Sequence, residues 1–149
     1  MTSAVATFAG VFVALYVAHQ IGDHWVQTDR QACRKGAPGW PGRRACTAHV
    51  ATYTVTALLA LAALAVVTGL DLAPGRVFAG LAVSALTHYL ADRRTPLRRL
   101  AELVGAGRFY GLGSPRPGRD DNPSLGTGAY ALDQSFHYAW LFVAALIIA

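Results

Sequence analysis

Apolar residues along this chain fall into four long blocks, at about 4–27, 45–69, 76–92 and 129–149. Residues 4–18 carry no charge, and 45–69 hold no Asp, Glu, Lys or Arg. A helix rises ~1.5 Å per residue, so ~20 apolar residues cross the hydrocarbon core of a bilayer. Blocks one, two and four meet that length. Block three is the shortest and begins at Arg76, which fits if its guanidinium reaches back to the interface. Small residues recur in all four, allowing helices to pack closely in lipid. The pattern predicts an all-α fold: a four-helix transmembrane bundle forming a single integral membrane domain over 1–149.

The first block could be mistaken for a secretory leader. Residues 1–8 have no basic side chain, so the usual positive n-region is missing, and the block runs on through His19, Gln20 and Asp23. It reads as a mature span.

The polar connections divide into two kinds. Residues 28–44 hold Arg30, Arg34, Lys35, Arg43 and Arg44, with Ala37-Pro38-Gly39-Trp40-Pro41-Gly42 reading as a turn whose tryptophan suits the headgroup level. The stretch after block three holds Arg93, Arg94, Arg98, Arg99, Arg108, Arg116 and Arg119. There, Thr95-Pro96 reads as a cap and first helical position. Leu97, Leu100, Ala101, Leu103 and Val104 then alternate with Arg98, Arg99 and Glu102, predicting a short amphipathic helix on the membrane surface. Residues 105–128 are rich in Gly and Pro and read as a mobile loop without a nucleotide-binding motif. Asn122-Pro123-Ser124 is no glycosylation acceptor, because proline fills its middle position.

Composition supports the membrane reading. The chain is 54% hydrophobic and only 14% charged, against about 25% charged in soluble domains. This excludes disorder and argues against an ordinary soluble enzyme. The net charge of +5 would suit nucleic acid if it were spread over a face. Instead, the two connections hold all but one of the 13 Lys and Arg residues, without interleaved stacking aromatics. No nucleic-acid partner is expected. The positive-inside rule places both basic loops in the cytoplasm and both termini outside. Cys33 and Cys46 then face a reducing compartment, form no CxxC and read as free thiols.

Ionisable residues inside spans are costly and are functional candidates by default. Here they repeat at i, i+4 on one face of each helix: His19 with Asp23, His49 with Tyr53, His88 with Asp92, and Asp133 with His137. Asp23, His49, His88 and Asp133 lie roughly 6–8 Å inside the cytoplasmic boundary, and His19 and His137 at ~12 Å. Asp92 falls near the surface, as a ligand, a general base, or an ion-pair partner of Arg93 or Arg94. His24 lies about 140° around the helix from His19 and reads as interfacial. Gln27 and Tyr53 read as hydrogen-bonding support for the ligands rather than ligands. Trp25, Trp40 and Trp140 read as packing or interface anchors.

Imidazole and carboxylate donors converging between helices suit a divalent transition metal: zinc first, with manganese or iron as other choices. Asp23, His49, His88 and Asp133 are the first-choice ligands, with His19 and His137 as alternates or a second site. Two metals in one bundle have precedent in helical proteins. No HExxH is present. Two other readings stay open: a hydrogen-bonded polar core in a non-enzymatic scaffold or assembly protein, and a proton or ion path in a small transporter.

The motifs themselves resemble a family. Ala18-His19-Gln20-Ile21-Gly22-Asp23 with Gln27-Thr28-Asp29, then His49 with Tyr53, then His88-Tyr89-Leu90-Ala91-Asp92, then Asp133-Gln134-Ser135-Phe136-His137, resemble in order those of an uncharacterised family of small bacterial integral membrane proteins. That family's motifs are loosely similar to those of membrane-bound metal-dependent hydrolases. The resemblance implies, by analogy, a metal-dependent hydrolase in a bacterial inner membrane; in such a hydrolase Asp92, as a spare carboxylate, would be the catalytic general base. The Arg-rich loops would favour an anionic lipid or phosphoester substrate. Oligomeric state is left open.

Overall fold

A computed structural model describes residues 3–115, 118 and 126–149, and every regular element among them is helical. Arg116, Arg119 and Asn122-Pro123-Ser124 lie outside the described residues. The elements are α1 (Ala4–Ile21), α2 (Asp29–Arg34), α3 (Gly39–Thr68), α4 (Pro74–Asp92), α5 (Thr95–Leu103), α6 (Gly107–Tyr110) and α7 (Gly128–Ile148).

Local chemistry explains most boundaries. Ser3 caps α1, its Oγ accepting the Ala6 N–H at 3.2 Å. α1 then widens into a π-helical turn, Gly22–Val26, closed by the Gln27 N–H donating to Gly22 O at 3.0 Å. Thr28 and Gln31 form a reciprocal capping box at the start of α2. Gly69 ends α3 at φ 68°, a left-handed conformation that glycine adopts without steric cost. Pro74 opens α4, where its missing N–H costs no intrahelical bond.

Three helical stretches are long and apolar enough to cross a membrane: Ala4–Val26, Gly39–Thr68 and Gly128–Ile148. α4 is not among them. It carries Arg76 in its first turn and Ser84, Thr87, His88 and Asp92 along its buried face. Arg76 does reach out of its helix. Its Nε donates to Ile147 O at 2.8 Å and its Nη1 to Ala149 O at 3.0 Å, so it caps the end of α7.

Two sequence readings change. The Pro/Gly stretch 37–42 is not a turn ahead of a helix at 45. Pro38 is the cap, and Gly39–Thr68 is one continuous helix. Pro41 fits because the first-turn N–H groups need no intrahelical acceptor. Residues 107–110, taken as part of a loop, form the short α6, which packs against α5 and α7.

α1 packs on α3 and α7, and α4 on α7 and α3. The core joins Val11, Leu15 and Ala18 of α1, Ala57 and Leu61 of α3, Leu81 of α4, and Leu141, Ala144, Ala145 and Ile148 of α7. Gly80 of α4 lets that helix close on α7, since a Cβ there would lie 2.9 Å from Ala144 O and crowd Ile148. Below this apolar layer the interior turns polar. α5 is amphipathic as expected, with Leu97 and Ala101 buried beneath the exposed Arg98–Glu102 pair.

Candidate metal centre

The polar layer is built from every helix of the core. α1 supplies His19, and the π-helical turn supplies Asp23. Asp23 is buried while His24 stays exposed, with its Nδ1 3.0 Å from Gln20 O. α3 supplies His49 and Tyr53, α4 supplies His88 and Asp92, and α7 supplies His137. All of these are buried. Asp133, one turn before His137 on α7, is half-buried. The structure thus brings together all seven ionisable residues that the sequence singled out.

His49 Nε2 and His88 Nε2 lie 3.0 Å apart. Asp92 Oδ2 is 3.2 Å from each, and Asp23 Oδ1 is 3.4 Å from each. A tetrahedral ion with ligands at about 2.0–2.1 Å separates them by about 3.3–3.4 Å. The two triangles that share the His49–His88 edge therefore have the size of a coordination face. His19 Nε2 lies 3.5 Å from Asp23 Oδ2, and His137 Nε2 lies 3.6 Å from Asp133 Oδ2. Three groups could hold a metal ion: His19, Asp23, His88 and His137; His49, His88 and Asp92; and Asp92, Asp133 and His137.

Several of these atoms have no hydrogen-bond partner although they are buried: His19 Nε2, Asp23 Oδ1, Asp92 Oδ2 and His137 Nε2. A buried polar atom without a partner costs about 1–3 kcal/mol, more if it belongs to a charged group. Cations held by these groups would satisfy such atoms. Nδ1 of His19, His49 and His88 is also without a partner, so packing orients these rings. Tyr53 stacks on His88 at 4.1 Å between centroids and sets its hydroxyl 2.7 Å from Ser84 Oγ. His88 and His137 approach at 4.2 Å.

Asp92 corrects the sequence reading. Neither Arg93 nor Arg94 is its ion-pair partner among the described residues. It is buried at 3% exposure, and its Oδ1 accepts from Lys35 Nζ at 2.7 Å. The Arg93 guanidinium donates instead to the carbonyls of Lys35 and Ala37, which ties the α2–α3 connection across the end of α4. The chain then turns sharply at Arg94, the one non-glycine described residue with positive φ, at 61°. Such strain is held in place by surrounding structure and often marks a site. Gln27 supports the π-helical turn by donating to Asp23 O at 3.2 Å, and Tyr53 supports a ligand ring by stacking.

A cleft of about 570 Å³ reaches this layer from the end of the molecule formed by α2, α5 and α6. Asp23, Asp92 and Asp133 line it, with Lys35, Arg94 and Tyr110. Burial pushes the Tyr110 phenol above its ordinary value, and the Asp133 carboxylate adds to this. Sequence reasoning missed Lys35, Arg94 and Tyr110 as cleft residues. Their loops carry no periodic signal, and the two basic residues were fully explained by topology. The remaining candidates lie apart: Trp25 and Trp40 are exposed, Trp140 is half-buried, Cys33 is exposed, and Cys46 is buried as a free thiol.

No curated protein and no solved structure matches the chain. One family model does, over residues 11–149, a range that contains every residue of the polar layer. The chain belongs to that family, described as "Protein of unknown function (DUF3307)".

Proposed function

We propose that this is a small polytopic membrane protein with a divalent metal centre, zinc as the first choice, at the cytoplasmic side of a four-helix transmembrane bundle. We further propose that it hydrolyses a phosphoester or an anionic lipid headgroup. The observation that carries the reading is the His49–His88–Asp92 triangle, with 3.0 and 3.2 Å edges, whose Asp92 lines the cleft beside Lys35 and Arg94. In this reading His49, His88 and Asp92 hold the ion, with Asp23 completing the set. Asp133, first taken as a ligand, is the half-buried carboxyl group that faces the cleft, and it takes the role of general base first given to Asp92.

When bound, the ion supplies a Lewis acid and a water of lowered pKa. The residues of the chain do the rest. Lys35 holds Asp92 in place through Oδ1. Arg94, on the cleft wall, pairs with the non-bridging oxygens of a phosphoester. Asp133 accepts the proton of the attacking water as the new P–O bond forms. The bond to the leaving oxygen breaks, and that oxygen takes up a proton from solvent or from the nearby Tyr110 hydroxyl.

The orientation follows from the positive-inside rule, with α2, α5 and α6 on the cytoplasmic side and both ends of the described chain outside. α4 would then be the fourth span, shielded by α3 and α7. Two features favour a metal-free polar core as a second reading: the direct His49–His88 contact and the Lys35–Asp92 pair. Elemental analysis of the detergent-purified protein separates the two. Bound zinc, manganese or iron is expected in the wild type and should be lost in His49→Ala and Asp92→Ala. A wild type that stays metal-free after reconstitution overturns the proposal. Metal-dependent release of phosphate or headgroup from vesicles of anionic phospholipid then tests the activity.

A further inference from the structure

The geometry points to a second metal position beside the first, held by His19, His137 and the far oxygen of Asp23. This rests on the metal reading above and goes beyond it. Asp23 presents its two carboxylate oxygens to different partners. Oδ1 faces His49 and His88 at 3.4 Å, and Oδ2 faces His19 at 3.5 Å. A carboxylate split in this way is placed to bridge two ions, one per oxygen. His19 and His137 have no part in the His49–His88–Asp92 triangle. Donor atoms from His19, Asp23, His88 and His137 nevertheless lie within 4.8 Å of one another.

The orphaned atoms argue for the second position. His19 is 0% and His137 3% exposed, and Nε2 of each is buried without a hydrogen-bond partner. An ion at the first triangle satisfies Asp23 Oδ1 and Asp92 Oδ2 but leaves both of these imidazoles unpaired. An ion between His19, His137 and Asp23 Oδ2 satisfies them. Asp133 Oδ2, 3.6 Å from His137 Nε2, lies on the cleft side of that position and closes it toward substrate. Charge points the same way. Among the described residues, Lys35 is the one ammonium that contacts the carboxylates of Asp23, Asp92 and Asp133, and divalent cations offset the charge of buried carboxylates. Paired metals about 3.5–4 Å apart are a recurrent arrangement for phosphoester hydrolysis, since one ion can steady the attacking oxygen and the other the leaving oxygen.

The test is metal stoichiometry on the full chain, loaded with Mn²⁺ or Zn²⁺ and freed of excess. Two equivalents are expected in the wild type, falling to one in His19→Gln and His137→Gln. One equivalent in the wild type overturns the second position and leaves the first standing. None overturns the metal reading as a whole. Two equivalents retained in both variants overturn the assignment to His19 and His137. A measurement on the wild type alone guards against variants that fail to fold. Fully Mn²⁺-loaded protein should give an exchange-coupled electron paramagnetic resonance spectrum. The hyperfine pattern of isolated ions at full loading overturns the bridge.

Discussion

Asp92 owes its place to a path of the chain that no local pattern announces. The i, i+4 spacing from His88 put both side chains on one helix face, and the structure bears that out. What the spacing did not give is the cover. Arg93 ties down the carbonyls of Lys35 and Ala37, and Lys35 then closes over Asp92 at 2.7 Å. The His and Asp residues were legible because ionisable groups in apolar blocks stand out against their background. Lys35 was not, because one lysine in a basic loop looks like any other. Its function can be tested directly. Residues that orient a ligand typically contribute 10–100-fold to metal affinity. Lys35→Met should therefore weaken metal binding by about 10–100-fold in a competition titration with a chromophoric chelator. Lys35→Arg should recover part of the loss. Tighter binding in Lys35→Met would instead make Lys35 a competitor for Asp92.

At the scale of elements, apolar blocks predicted where helices lie but not how closely they meet or where they begin. α3 starts six residues before the block at 45 because proline and glycine are tolerated in a first turn, where no intrahelical acceptor is required. α6 escaped because its four residues sit in a stretch dominated by glycine. The π-helical turn could not be read from Gly22 alone. Helix contact in this interior depends on small residues, and glycine is decisive where α4 meets α7. Gly80→Ala would press a methyl group against Ile148 and the Ala144 carbonyl. The expected cost is about 1–3 kcal/mol, seen as a lower midpoint of thermal unfolding in detergent. Gly75→Ala, in the first turn of the same helix with no atom within 4 Å, should leave the midpoint unchanged or raise it. Equal effects at both sites would mean that helix propensity, not the α4–α7 contact, governs the change.

Among the described residues, the His and Asp groups of the polar layer are enclosed while many large apolar side chains face outward. Val66 and Val67 are each 83% exposed and Phe78 77%, while His49 and His19 are fully enclosed. In water such a surface would be an aggregation liability. In a bilayer it is the surface that lipid requires, and the enclosed donors are shielded from it. The polar layer is off-centre, however, close to the end where α2, α5 and α6 gather and where the cleft opens. The apolar core, from Val11 to Ile148, fills the other part of the interior. An arrangement of this kind admits a soluble or headgroup substrate from one face only, and it offers no continuous polar route to the other face within a single chain. Under the proposed function, the face that opens is the face on which hydrolysis takes place. If the basic residues set orientation, that face is cytoplasmic. The two free cysteines give a direct readout, because Cys33 is exposed at the cleft end and Cys46 is buried. A membrane-impermeant maleimide should label the wild type only after the cytoplasmic face is made accessible, and Cys33→Ser should abolish the label. Introducing Ser3→Cys into Cys33→Ser places a thiol at the exposed start of α1. That variant should label in intact cells. Labelling of Cys33 in intact cells would reverse the orientation and place the metal chemistry on the outer face, where its substrate would have to be an extracytoplasmic phosphoester.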